Sequence, residues 1–430
     1  MKKRNSFLKR FAAVATAVTL AAGTLAGCGG DGGKETGGDA AGASADEGST
    51  ADAAGTADAG GDAADASGAD TKGGKILLLT TLNSGGQYEF YNAFFGNACD
   101  DLGYDFEIVY ADTFNDPDGN LTAVRNSYTS DVVGLISTVD GGINAIMEEY
   151  PDLYVAGFYG DLDAVYEEDG VAHEVLSNDH FLGTMGDNYV SGVELGEAYA
   201  EEVIARGYKK ISTIIFPPYA YPKHTTADAA FRAKIEEYNA SADEKIEIVG
   251  DATVLEFKPL DESYFLEEGH GDLDAIVGFC AGISFIYPSV VSAKAGGTCA
   301  PDMQLVTGGF EAQEDIFADC GDDKTIVSIT IATPESALFP IVLLDNAIQG
   351  KQFADYAGPE RYTSGILAIN STDKFQAIMT NSPLWEADLS KMMISWEDMK
   401  QYFTRYNESA TYADLVKATT TDLSVEGYMN

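Results

Sequence analysis

Apolar runs of five to eight residues alternate with segments of helical period in this chain, and they do so twice, on either side of the stretch Met185 to Gly192. The run Lys75–Leu82 (KILLLTTL) is apolar almost throughout, the mark of a strand buried on both faces of a parallel sheet. A helix to about Leu102, a strand near Phe106–Tyr110, a helix after Asp118, a strand at Val132–Thr138, a helix after Asp140 and a strand at Leu153–Phe158 follow. Repeated strand-helix alternation implies a doubly wound sheet with right-handed crossovers. Past the central stretch the pattern restarts, with strands at Lys210–Phe216, Ile246–Val254, Leu273–Phe279, Gln304–Phe310 and Thr325–Ile331, and helices at Ala227–Tyr238 and Ser284–Ala295. Pro334 opens a further helix that ends about Gly350, with Pro in its first turn and Gly at its close. The pattern weakens beyond Tyr362–Ile369, and the residues from Ser371 onward read as helical and aromatic.

The central stretch carries Asp187 and Asn188, whose short side chains suit the cap of a helix over about Val190–Arg206. Position adds to this, because open α/β sheets bind ligands at the carboxyl ends of their strands, where loops and helix N-termini gather. The folded part, about Lys75 to Asn430, is longer than one core usually holds, so two lobes are expected.

The start of the chain has the order of an export signal. Lys2, Lys3, Arg4, Lys9 and Arg10 precede an apolar run from Phe11 to Leu25, too short for a membrane span. It closes on Leu25-Ala26-Gly27-Cys28, which resembles the lipobox of bacterial lipoproteins, and that resemblance implies lipidation at Cys28. From Gly29 to about Gly74 ten acids face only Lys34 and Lys72 among Gly, Ala, Ser and Thr. With nothing large and apolar to bury, this segment reads as an extended tether. Acids dominate the whole chain, 69 against 26 Lys and Arg, for a net charge of -43. Such a surface repels nucleic acid and anionic membranes, so neither is an expected partner beyond the lipid anchor itself. Cys99, Cys280, Cys299 and Cys320 show no metal spacing, and their disulfide state is open.

Catalytic patterns are missing. His173-Glu174 lacks the second His of a zincin helix, and no Gly-x-Ser-x-Gly elbow, P-loop or Cys-x-x-Cys occurs. Asn115-Asp-Pro-Asp-Gly-Asn120 has a faint calcium-loop look but reads first as a turn and helix cap.

Several local motifs agree in order over nearly 300 residues. They are Leu82-Asn83 before an aromatic cluster, Gly186-Asp187-Asn188 with Gly192 and Gly196, Phe231, Asp274-Ala-Ile-Val, Gly309-Phe310-Glu311 and Ile329 through Pro334. Together they resemble the type I periplasmic binding proteins, the sugar-binding family that serves as receptors for ABC importers. The resemblance implies an α/β fold of two Rossmann-like lobes with parallel sheets, joined by a three-segment hinge that closes on ligand. The expected division is a signal over 1–28, a tether over 29–74, a first lobe of 75–180 with 333–367, a second lobe of 181–332 with 368–370, and an appended helical segment over 371–430. The crossings are expected near Asn178–Gly186, Ile331–Pro334 and Leu367–Asn370.

Sugar recognition needs flat aromatic faces and planar polar side chains. In the first lobe Asn83, Tyr88, Phe90 and Tyr91 match a region where the family places Asn and aromatics, and Asp140 and Tyr159 follow strands at the ligand edge, where turn and cap roles compete. Asp187 joins them from the central stretch. In the second lobe Phe257, Phe310 and Glu311 stand where the family puts an aromatic and a carboxylate; Glu311 competes with a plain helix N-terminus. Two departures are plain: Lys223, His224 and Thr225 stand where sugar binders carry Arg, and Cys280-Ala281 where they carry Asn-Asp. A larger, less polar or unusual ligand thereby becomes plausible, with His224 and Cys280 taking the replaced positions. The resulting expectation is a monomeric, lipid-anchored, extracytoplasmic solute-binding protein, without cofactor, metal or enzymatic activity, delivering a sugar or sugar-like compound to an ABC permease. The alternatives are a sensory receptor of the same fold and a binder of a nucleoside or other non-sugar solute.

Overall fold

A computed structural model of the chain describes residues 73–83, 85–114, 116–160, 162–166, 172–186, 192–218, 221–310, 312–420 and 424–429. All of them belong to the compact unit Gly68–Asn430. Residues 1–72, which include the expected export signal, Cys28 and the expected tether, and Asp187, Asn188 and Glu311 lie outside the described residues.

Strand β1 (Lys75–Thr80) shows how the alternation becomes a layered sheet. Ile76 and Leu78 point to one face and Leu77 and Leu79 to the other, and all four are at most 1% exposed. Full burial of each is worth roughly 2 kcal/mol, so helices must cover both faces. Helix α1 (Gly86–Leu102) covers the first with the stripe Phe90, Phe94, Phe95, Ala98 and Leu102, and ends at Gly103 in the left-handed region, φ 82°. Beyond β2 (Asp105–Tyr110), helix α2 (Pro117–Ser127) covers the second face; β3 (Val132–Ser137), helix α3 (Ile143–Glu149), β4 (Tyr154–Tyr159) and β5 (Phe181–Gly186) complete this half. Asn115 lies outside the described residues, and the rest of that motif is a helix cap, with Asp116 Oδ1 accepting from Gly119 N at 3.1 Å.

The second half holds helix α4 (Gly192–Arg206), β6 (Lys210–Ile215), helix α5 (Pro222–Ser241), β7 (Glu247–Ile248), β8 (Thr253–Val254), β9 (Ala275–Gly278), helix α6 (Tyr287–Gly296), β10 (Gln304–Gly308) and β11 (Ile326–Ala332). Helices α4 and α5 cross so closely that glycine is required: a Cβ on Gly196 would sit 2.2 Å from Ala227 O, and one on Gly192 2.6 Å from Lys223 O. The chain then returns through helix α7 (Leu338–Ile348), β12 (Arg361–Thr363) and β13 (Ile366–Ile369), and closes with helices α8 (Thr372–Asn381) and α9 (Tyr412–Thr420). The sheets are ordered β12-β5-β4-β3-β1-β2, all parallel, and β13-β11-β10-β9-β6-β7 with β8 beside β6, parallel except for β13 against β11. This is the α/β fold expected from the alternation.

The differences lie at the changes of lobe. Phe181–Gly186 is a fully buried strand of the first sheet, so the first lobe extends past 180 to Gly186. Its place between β4 and β12 completes the burial that Phe181, Leu182 and Met185 need. Tyr362–Ile369 is not one element: β12 belongs to the first sheet and β13 to the second, and the chain crosses at Ser364-Gly365 rather than at Leu367–Asn370. Ile246–Val254 breaks into β7 and β8 because Gly250 adopts φ 67°. The crossings are tied to each other, with Ser364 N donating to Gly186 O at 2.9 Å and Thr333 N to Gly365 O at 3.0 Å. The third runs from β11 through Thr333 into a 3-10 turn at Pro334–Ala337.

Candidate functional site

The two sheets offer their carboxyl ends to one cleft, and a small pocket of about 40 Å³, open on one side, lies there against the hinge. The first lobe gives Gln87, Phe90 and Tyr91 from the start of α1 and Tyr159 from the end of β4; the second gives Gly309 and Phe310 after β10; the hinge gives Ile331 to Pro334. Leu384, from the C-terminal segment, completes the wall. Each arrives by the same logic, since parallel strands end in loops at one edge and those loops converge.

Most of this lining is apolar or aromatic. Tyr91 stands edge-on to Phe158 at 5.0 Å and to Tyr159 at 6.2 Å, and its hydroxyl accepts from Gln87 Nε2 at 2.7 Å. Tyr159 holds φ 67°, a strained conformation for a side chain of its size, which only the packing of its surroundings can maintain. The hydroxyl of Thr333 has no hydrogen-bond partner although the residue is 1% exposed. A buried hydroxyl left unpaired costs about 1–3 kcal/mol, so a group that pairs with it here recovers that cost.

Farther along the cleft a second aromatic group forms on Phe216, Tyr221, His224, Phe257 and Phe285. Phe114 of the first lobe stacks on Tyr221 at 6.0 Å and 26°, so the lobes touch there as well. His224 lies parallel to Tyr221 at 4.9 Å, and its Nδ1 accepts from Phe216 N at 3.3 Å. Burial pushes its pKa down to about 4, so it is a neutral acceptor at physiological pH.

Of the residues singled out from sequence, Phe90, Tyr91, Tyr159 and Phe310 converge on the pocket. Phe90 does so from a fully buried position, mainly as packing for Phe94 and Tyr91. Tyr88 turns away, its hydroxyl 2.9 Å from that of Tyr110. Asn83 is exposed at the loop and is not among the lining residues. Asp140 accepts from Leu162 N at 2.7 Å, a bond between the loops after β3 and β4. Phe257 belongs to the second aromatic group, also at positive φ, 53°. His224 stacks on Tyr221 in the second aromatic group, and Cys280 is a buried thiol whose pKa burial pushes up to about 12. Cys99, Cys280, Cys299 and Cys320 are all free thiols. Asp187 and Glu311 lie outside the described residues.

Sequence reasoning passed over Gln87, Thr333 and Leu384. Gln87 stands four residues before Tyr91 on one helix face, a spacing that predicts contact. Thr333 lies between the end of β11 and a proline, at the ligand edge. Leu384 has no local signal, because only the return of the C-terminal segment brings it to the cleft.

That segment is bound to both lobes. Glu335 of the hinge, 0% exposed, accepts from Met393 N at 2.7 Å and Tyr428 OH at 3.2 Å, and burial raises its pKa. Asp345 of α7, also 0% exposed, pairs with both Arg405 Nε at 2.9 Å and Arg405 Nη2, and accepts from Tyr104 OH at 2.9 Å. The described residues of the C-terminal segment, expected as an appended packing segment, pack on both lobes. Among the described residues no group of three or more His, Cys, Asp or Glu is placed to hold a metal ion, and no helix is long and apolar enough to cross a membrane.

No family model and no curated protein matches this chain by sequence. Solved structures do match it. An ABC transporter solute binding protein from Burkholderia graminis, in complex with D-arabinose, is 14% identical with a TM-score of 0.51, covering 72% of this chain and 98% of its own. A protein from Mycobacterium smegmatis in complex with β-D-fucofuranose is 14% identical with a TM-score of 0.50, covering 71% of this chain and 94% of its own. The fold is that of the type I periplasmic binding proteins.

Proposed function

We propose that this chain is a solute-binding protein that captures a small molecule, a sugar or sugar-like compound, between its two lobes. The observation that carries the reading is the pocket at the hinge, where two parallel sheets present their carboxyl ends and the Thr333 hydroxyl is buried without a partner. Tyr91, Tyr159 and Phe310 supply flat faces for the C–H surface of a ring, and Gln87 and Thr333 supply hydrogen bonds at its rim. The D-arabinose and β-D-fucofuranose complexes of the two similar structures support a monosaccharide-sized ligand. With few polar groups among the described lining residues, the site favours a solute with one apolar face.

Delivery to an ABC permease and anchoring through a lipidated Cys28 belong to the same proposal and rest on the lipobox-like sequence and the tether. No chemical step is assigned to the site. A thermal-shift screen over pentoses, hexoses, nucleosides, amino acids and polyols tests the reading. A ligand at a hundredfold excess over its Kd stabilises the fold by about 2.7 kcal/mol. A screen in which only non-carbohydrate solutes raise Tm overturns the sugar assignment, and one in which nothing does overturns solute binding.

A further inference from the structure

The residues after β13 follow a path that crosses between the lobes. Helix α8 is fixed to the second lobe: Thr372 Oγ1 donates to Asp322 Oδ2 at 3.1 Å, while Phe375 and Trp385 pack edge-on against Phe317, at 6.4 and 4.6 Å. Leu389 then lies with Phe94, Asn97 and Ala98 of α1, in the first lobe. There the segment is held by Trp396 Nε1 to Asp101 at 3.1 Å, by Thr404 N to Asn346 Oδ1 at 2.9 Å, and by the Arg405 pair with Asp345. Backbone N–H groups of Tyr412 and Ala413 donate to Asp355 at 2.8 and 3.1 Å. Finally Val425–Met429 comes back to α8, where Asn381 Nδ2 donates to Tyr428 O at 2.6 Å.

The two passages differ in what they do. Helix α9 ends on the hinge itself, with Gly365 N donating to Thr419 O at 3.4 Å. The passage from Trp385 to Leu389 runs instead along the facing edges of the lobes. A Cβ on Gly86 of the first lobe would lie 2.7 Å from Ala312 of the second, 2.8 Å from Leu384 O and 3.4 Å from the Phe310 ring. In that passage Ala387 holds φ 52°, and three residues separate Trp385, bound to the second lobe, from Leu389, bound to the first.

We propose that Ser371–Thr420 is a strap that limits how far the two lobes part, and that the passage Trp385–Leu389 is its short link. Opening about the hinge separates Phe317 from α1, and the link must lengthen or one anchor must let go. Because Leu384 is also a wall of the pocket, the restraint acts at the place where solute enters. The restraint itself needs no assumption about the solute; only its meaning for capture rests on the proposed function.

The test measures lobe separation without any solute. Asp152→Cys and Leu266→Cys, exposed positions on the first and second lobes, carry a fluorophore pair in the full chain with Cys28→Ser, the four thiols of the folded unit being buried. Single-molecule energy transfer is expected to give one narrow distance distribution. A short Gly-Ser insertion between Ala387 and Asp388 leaves the Trp385 and Leu389 side chains in place and gives the link slack; it is expected to broaden the distribution toward an additional open population. Trp385→Ala, which loosens the second-lobe anchor, is expected to act in the same direction. If Trp385→Ala does not fold, the insertion decides alone. A distribution unchanged by the insertion overturns the strap, whether or not any sugar binds.

Discussion

Replacing Arg405 by Met isolates what the first-lobe anchor contributes. In the native protein the guanidinium makes both ion-pair contacts to Asp345, donates to Leu102 O at 2.8 Å and to Tyr104 OH at 3.1 Å, and lies over the Tyr104 ring at 5.7 Å. Asp345 is 0% exposed, so the Met side chain leaves its carboxylate with Tyr104 OH as its one remaining donor among the hydrogen bonds described. Breaking a buried pair from one side costs about 3–5 kcal/mol, because the surviving charge has neither partner nor water. For a body of this size that is a fall in Tm on the order of 6–10 °C.

The cost depends on pH in a definite direction. Burial already raises the Asp345 pKa from 3.8, and Arg405 is what opposes that rise; without it the folded-state value climbs further. A carboxyl whose folded pKa is raised contributes stability below the unfolded value and loses it as pH rises through the folded one. Arg405→Met is therefore expected to approach the wild type near pH 4 and to diverge at pH 7. Urea unfolding at both pH values measures this, and Arg405→Met with Asp345→Asn is expected to recover most of the loss. A deficit under about 1 kcal/mol at pH 7, or one equal at both pH values, would refute the reasoning from an uncompensated buried charge.

Three further outcomes follow from the same structure. Glu335→Gln keeps an acceptor for Met393 N while removing a carboxyl whose pKa burial raises from 4.5. Its stability relative to wild type should rise as pH climbs above 4.5, and parallel unfolding curves across that range would contradict it. His224 has its pKa depressed to about 4, so it contributes stability above the unfolded value of 6.5 that is lost on acidification toward 4. His224→Gln is expected to flatten that stretch of the pH-stability curve by roughly 3 kcal/mol, read by urea midpoints. Thr333→Val keeps the shape of the side chain and should weaken solute binding about tenfold by calorimetry while leaving the unliganded Tm unchanged or slightly higher. Undiminished affinity would remove the hydroxyl from the site.

How far the pocket was legible depends on where its residues lie relative to their own element. Tyr91 in the first turns of α1, Tyr159 at the end of β4 and Phe310 just after β10 all stand at the ligand edge, and once the sheet was read as parallel their convergence followed from topology. Tyr88 has the same local setting as Tyr91 but is three residues away around the helix and faces Tyr110 instead. His224 and Cys280 stand where a polar anchor was expected, and burial, which no local pattern reports, turns one into a neutral support and the other into a packing thiol.

Two-sided burial of short apolar runs, the glycines of α4 and the proline and glycine punctuation of the helices were all determined by the sequence itself, because each is a property of a residue and its near neighbours. Only the tertiary structure decided which sheet claims β5 and β12, and that Leu384, Arg405 and Tyr428 return to the cleft, the first lobe and the hinge. Those contacts join residues up to 303 positions apart, as Arg405 and Leu102 are, and at such separations the partner is chosen by what the completed lobes leave unburied rather than by any repeat in the chain.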